Sequence, residues 1–72
     1  MAIHLRAARI NAQLTQKEVL DELRKRGYKI SKNTLSSYEA YKTKPDIDVA
    51  KAMADIYGMS VDNIIFYPED CA

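Results

Sequence analysis

Leu14-Thr15-Gln16-Lys17-Glu18-Val19 opens the stretch that decides the fold, and Ile30-Ser31-Lys32-Asn33-Thr34-Leu35-Ser36-Ser37-Tyr38-Glu39 closes it. Each half carries its own helix start. Thr15 with Glu18 three residues on is a capping box, in which the hydroxyl accepts one orphan N–H and the carboxylate reaches back to another. Ser31 offers the same hydroxyl-to-N–H bond to a second helix. Between them Gly27 can take a positive φ and stop the first helix. Val19, Leu20 and Leu23 on the first helix, and Leu35 and Tyr38 on the second, fall at helical spacing and are the inward-facing candidates.

Two short helices in series, the second exposing small polar and basic side chains at its start, have the layout of a helix-turn-helix. In that motif the second helix enters the DNA major groove N-terminus first. Working outward, a first helix is expected from about Ile3 to Ala12, with Ile3, Ala7 and Ile10 on one face and Leu5 and Ala8 flanking it. The motif helices follow at about Gln16–Arg26 and Lys32–Tyr41. Lys42-Thr43-Lys44-Pro45 is a basic connector, and Pro45 forbids helical continuation. Asp46 is expected to cap a fourth helix with a broad apolar stripe of Val49, Ala50, Met53, Ala54, Ile56 and Tyr57, ended by Gly58. Ser60 is expected to cap a short fifth helix, Val61–Phe66, with Val61, Ile64 and Ile65 inward and Pro68 as its stop. Residues 69–72 read as a frayed tail. The expectation is an all-α, five-helix single domain over residues 1–72, near the lower size limit for a self-sufficient core.

Hydrophobic residues make up 47% of the chain and there are only two Pro and two Gly, which argues against disorder and against a turn-rich β design. Cys71 is the only cysteine and His4 the only histidine, so neither an internal disulfide nor a Cys/His metal site is available. A reducing, cytoplasmic setting fits. The two glycines are too far apart to cradle a phosphate. Asp46 and Asp48 are close, but capping accounts for Asp46, and the single histidine completes no Ser/His/acid arrangement. No enzyme activity, cofactor or small-molecule substrate is therefore expected. No apolar run is long enough for a membrane span, and Met1 to Arg6 is not a secretory signal.

The net charge of +1 hides a division. Residues 1–44 hold ten Lys/Arg against four acids, +6, and residues 45–72 hold Lys51 against six acids, −5. The basic part can meet phosphate, and the acidic part can meet a basic protein. On the expected second motif helix, Lys32, Asn33, Ser36 and Ser37 are exposed. An Asn amide can both donate and accept, as adenine's major-groove edge requires, and Lys can serve guanine or a phosphate. Lys42 and Lys44 would clamp phosphate after that helix. Tyr28, Tyr41, Phe66 and Tyr67 are aromatics that the core pattern does not need in full, and exposed aromatics are favoured interface anchors.

These residues carry a resemblance. Leu5-Arg6-x-x-Arg9, Leu14-Thr15-Gln16-x-Glu18-Val19, Ile30 to Ser36 with Glu39, Lys42 to Pro45, and Ala50, Ala54 and Tyr57 to Ile65 together resemble the Cro/repressor-type (XRE) helix-turn-helix family over nearly the whole chain. The resemblance implies a lambda-repressor-like fold. It implies that Gln16 points at the phosphate backbone and that Arg9 pairs with Glu39 to fix the recognition helix. The chain departs from the family in its longer Arg24–Lys29 connection and in Ala40-Tyr41, which replaces the common Asn-Gly. Length, the long connection between the second and third helices and the Ile30–Tyr41 stretch together resemble, within that family, the antirepressors (modulators of repression) of temperate phage switches in Gram-positive hosts. That likeness implies a partner, the lysogenic repressor, bound through its N-terminal domain so that operator binding is blocked and lytic growth favoured. Asp46, Asp48, Asp55, Tyr57, Asp62, Phe66 and Tyr67 are the candidate repressor-binding residues. The alternative is a Cro-like DNA-binding regulator that acts alone as a dimer.

Overall fold

The computed structural model describes residues 2–67. Pro68, the expected tail at 69–72 and Cys71 lie outside the described residues. In chain order there are β1 (Ile3–His4), α1 (Leu5–Asn11), α2 (Gln16–Lys25), α3 (Lys32–Glu39), α4 (Ile47–Tyr57), a single 3-10 turn at Val61–Asn63, and β2 (Ile64–Ile65). The five-helix, all-α expectation is thus corrected to four α-helices and a short parallel ladder among the described residues. The ladder pairs Ile3 with Ile64 and His4 with Ile65. Three of these four residues are β-branched isoleucines, which suit an extended backbone. Their pairing takes Ile3 and His4 out of the first helix and Ile64 and Ile65 out of the expected fifth.

The ladder also sets the register of α1. Leu5 and Ala8 are its buried residues, whereas Ile10, expected inward, is 53% exposed. The core joins Leu5 and Ala8 to Val19 and Leu23 of α2, Leu35 and Tyr38 of α3, Val49, Ala52, Met53, Ala54 and Tyr57 of α4, and Ile64. Leu20, Tyr28, Ile30, Ile56, Val61 and Phe66 pack partly buried against it. α2 packs against both α3 and α4, and α1 against α3.

Helix starts follow the local chemistry. Thr15 Oγ1 accepts from the Glu18 N–H at 3.1 Å while Glu18 Oε1 accepts from the Thr15 N–H at 2.8 Å, a closed capping box. Ser31 accepts from the Thr34 N–H at 3.1 Å. Asp46 occupies the cap position of α4, yet its side chain makes no capping bond.

All four helices end in one pattern, the Schellman motif, in which two N–H groups beyond the helix turn back to its last free carbonyls. After α1, Leu14 N–H donates to Arg9 and Gln13 N–H to Ile10; after α2, Tyr28 to Leu23 and Gly27 to Arg24. After α3, Lys42 donates to Ser37 and Tyr41 to Tyr38; after α4, Met59 to Ala54 and Gly58 to Asp55. The motif needs one residue in the left-handed region. Gly27 (φ 93°) and Gly58 (φ 70°) fill it without strain, but Gln13 (φ 61°) and Tyr41 (φ 62°) carry a Cβ there.

Candidate nucleic-acid interface

The motif is held together by a small polar cluster between α1, α2 and α3. Arg9 Nε donates to Glu39 Oε2 at 2.6 Å and a terminal Arg9 nitrogen to Glu39 Oε1 at 3.3 Å. The two side chains are only 12% and 6% exposed. The other terminal nitrogen of Arg9 donates to the Leu14 carbonyl at 2.9 Å, so one guanidinium fixes both the α1–α2 turn and the end of α3. A fork of fixed donors suits this task, since a lysine could not bind two partners in that geometry. Gln16 extends the cluster outward: its Nε2 donates to Glu39 Oε1 at 3.1 Å and to Ser36 Oγ at 3.3 Å.

On the solvent side of α3, Lys32, Asn33 and Ser36 are exposed and Ser37 is half-buried. Lys42 and Lys44 are exposed on the following connector, where the Lys44 ammonium stands 5.8 Å from the centre of the Tyr67 ring. Gln16 is half-buried at the first residue of α2. An open groove lined by Arg6, Arg9, Gln16, Ser36, Glu39 and Ala40 runs between α1 and α3. Arginine at its rim attracts phosphate, and the exposed amide and ammonium at the start of α3 can address base edges.

The candidate protein-binding residues divide. Asp46, Asp48, Asp55, Asp62 and Tyr67 are exposed, and Phe66 is half-buried at the core edge. Asp55 is engaged, 2.6 Å from Arg26 of the α2–α3 connection. Tyr57 is a correction: it is 7% exposed, inside the core, because it follows Met53 by one helical turn on the buried face of α4. It cannot serve as a surface anchor. Burial, then the nearby Glu39 carboxylate, pushes its phenol well above the ordinary tyrosine range, while Arg9 opposes the shift. Its hydroxyl has no hydrogen-bond partner among the described residues. The Tyr38 phenol is also pushed up, by burial and then by Asp46.

Two residues with a clear role escaped the sequence reading. Tyr41 donates its hydroxyl to the Ile65 carbonyl at 3.1 Å, and His4 Nδ1 lies 2.6 Å from the Tyr41 hydroxyl oxygen. The rings meet with centroids 5.6 Å apart. Tyr41 thereby ties the end of α3 to both strands of the ladder. The signal was the replacement of Asn-Gly by Ala40-Tyr41: a tyrosine in a left-handed position persists only where its ring is held.

Among the described residues no group of three or more His, Cys, Asp or Glu could hold a metal ion, and no helix is long and apolar enough to cross a membrane. No curated protein and no solved structure matches the chain. A family model described as helix-turn-helix matches residues 5–64, which takes in every α-helix of the fold. With two capped helices in series, the second presenting Lys32 and Asn33 to solvent, the chain belongs to the XRE-type helix-turn-helix family of DNA-binding transcription regulators.

Proposed function

We propose that this chain regulates transcription chiefly as an antirepressor. It binds the N-terminal DNA-binding domain of a phage lysogenic repressor, blocks that domain's access to its operator and favours the lytic cycle. The observation that carries this reading is the solvent placement of Asp46, Asp48 and Asp62, together with exposed Tyr67 and half-buried Phe66, in a part of the chain with net charge −5. A DNA-reading surface is basic, so it meets these carboxylates with the right sign. The Ala40-Tyr41 turn supports the same reading, since Ala40 offers phosphate no polar group and Tyr41 is turned toward Ile65. Co-purification with the lysogenic repressor of the same phage, followed by operator gel shifts with each protein alone and both together, tests it. The expected result is a complex that no longer shifts the operator. A repressor that binds its operator equally well with and without the chain overturns the reading.

A second reading is favoured by the exposed Lys32 and Asn33 at the first turn of α3: an autonomous Cro-like regulator that binds its own site. It requires a tight, sequence-selective shift by the chain alone at physiological salt. Under the antirepressor reading the chain alone binds DNA weakly and with steep salt dependence, because few of its cations reach phosphate.

A further inference from the structure

Gln16 begins the first helix of the motif and touches the second. Its Nε2 has two acceptors, Ser36 Oγ at 3.3 Å and Glu39 Oε1 at 3.1 Å. A carboxylate only accepts, so the NH2 end of the amide must face Glu39, and its orientation is settled by chemistry. An amide NH2 has two protons, and these two acceptors take both. What Gln16 has left to offer is its Oε1, an acceptor. Glu39 cannot swing away to release it, because Arg9 grips both carboxylate oxygens and is itself bonded to the Leu14 carbonyl.

When the second helix of such a motif lies in the major groove, the first crosses the phosphate backbone. A phosphate oxygen needs donors, and both amide protons of Gln16 are already taken by Ser36 and Glu39. The groove beside it is lined by Arg6, Arg9 and Glu39; Arg9 and Glu39 neutralise each other, so Arg6 supplies the attraction for phosphate while the nearest amide donor is withheld. We propose that Ser36, with Glu39, is a positioning residue that holds the Gln16 amide withdrawn from the DNA backbone, so that Ser36 restrains DNA binding rather than reading a base. This rests on the family's DNA-binding role and not on the repressor as partner.

Ser36→Ala removes one of the two acceptors and frees one Gln16 proton, while the exposed position leaves the fold intact. Fluorescence anisotropy with a short labelled duplex of random sequence at low ionic strength reads the effect. One recovered hydrogen bond is expected to tighten binding about threefold. Ser36→Thr keeps the hydroxyl and returns wild-type affinity. The Ser36→Ala/Gln16→Ala double variant shows no gain over Gln16→Ala alone. The wild-type Gln16 side-chain amide gives two dispersed, slowly exchanging proton resonances, one of which moves toward the free-amide position in Ser36→Ala. Equal or weaker binding by Ser36→Ala, no detectable binding by it, or a gain that survives in the double variant overturns the proposal. Repressor capture by the chain is unaffected by any of these results, so the two readings fail separately.

Discussion

Tyr57 places a hydroxyl in the core with no hydrogen-bond partner among the described residues, in the field of Glu39 and Arg9. A buried polar atom left unsatisfied costs about 1–3 kcal/mol, whereas an apolar replacement of the same shape is close to neutral or stabilising. Tyr57→Phe is therefore expected to raise stability by about 1 kcal/mol in denaturant melts. It also changes the alkaline limb. Tyr57 keeps its proton in the fold at pH values where the unfolded phenol has lost it, so the unfolded chain binds fewer protons there. Stability is then flat below the ordinary tyrosine pKa of 10.0 and falls as pH rises above it. The melting temperature of Tyr57→Phe should fall less steeply above that point, and parallel slopes would show that the phenol is not held protonated. The ion pair beneath it has the opposite character. Removing either Arg9 or Glu39 strands a nearly buried charge, at an expected cost of about 1–3 kcal/mol. The double variant should cost less than the sum of the two. Wild-type melting in both single variants would remove the pair from any account of stability.

Helix ends separate what the sequence states locally from what the fold imposes. Gly27 and Gly58 were legible as stops because glycine alone enters the left-handed region freely. Gln13 and Tyr41 were not, since neither residue type signals such a turn; returning N–H bonds and the Tyr41 hydroxyl hold them there. The same distinction gives a paired prediction. A Cβ at Gly27 meets nothing within 4 Å, so Gly27→Ala should lose about 1 kcal/mol from backbone conformation alone. Gln13→Gly, at the equivalent place after α1, should lose nothing or gain up to about 1 kcal/mol. Chemical denaturation of both variants checks this, and a stabilised Gly27→Ala would refute it. The capping box, the Ser31 cap and the α2, α3 and α4 core faces were readable because they depend on neighbours three or four residues away. The α1 face was misread because Ile3, Ala7 and Ile10 satisfy helical spacing equally well, and only pairing with Ile64 shows that Ile3 is not in the helix. The site was legible as a set of exposed polar residues on α3. The Arg9–Glu39 pairing came from resemblance to a family, and the commitment of Gln16 to Ser36 and Glu39 depends on α2 meeting α3, which no local pattern records.

At the scale of the whole molecule, the proposed capture of a repressor assigns encounter to the division of charge and retention to the aromatics. Charges are screened beyond roughly 8 Å at physiological salt, so the carboxylates should steer a basic partner more than hold it. Reversing Asp46 and Asp62 to lysine is expected to slow association with the repressor and flatten its salt dependence. Phe66 packs against the core, so truncating it mixes stability with binding. Tyr67 is 42% exposed and gives the cleaner test. Tyr67→Ala should speed dissociation, at a cost of about 2 kcal/mol if it is an anchor. Surface plasmon resonance separates the two rates. If neither change matters while Lys32→Ala or Asn33→Ala abolishes capture, the repressor contact lies on α3.

The two-residue ladder has a kinetic consequence. Pairing Ile3 with Ile64 closes a loop of about 60 residues, whereas the helix caps and the α2–α3 turn close within a few. Ordering that loop yields few contacts until the helices have docked, so the ladder is expected to zip last and open first. Amide protons of the ladder should then exchange with deuterium through a low-energy local opening, while those of α2 and α4 wait for global unfolding. Tyr41, bonded to Ile65 and in contact with His4, is the latch on that opening. Its replacement by phenylalanine should accelerate exchange at the two strands and leave the slowest helical amides unchanged.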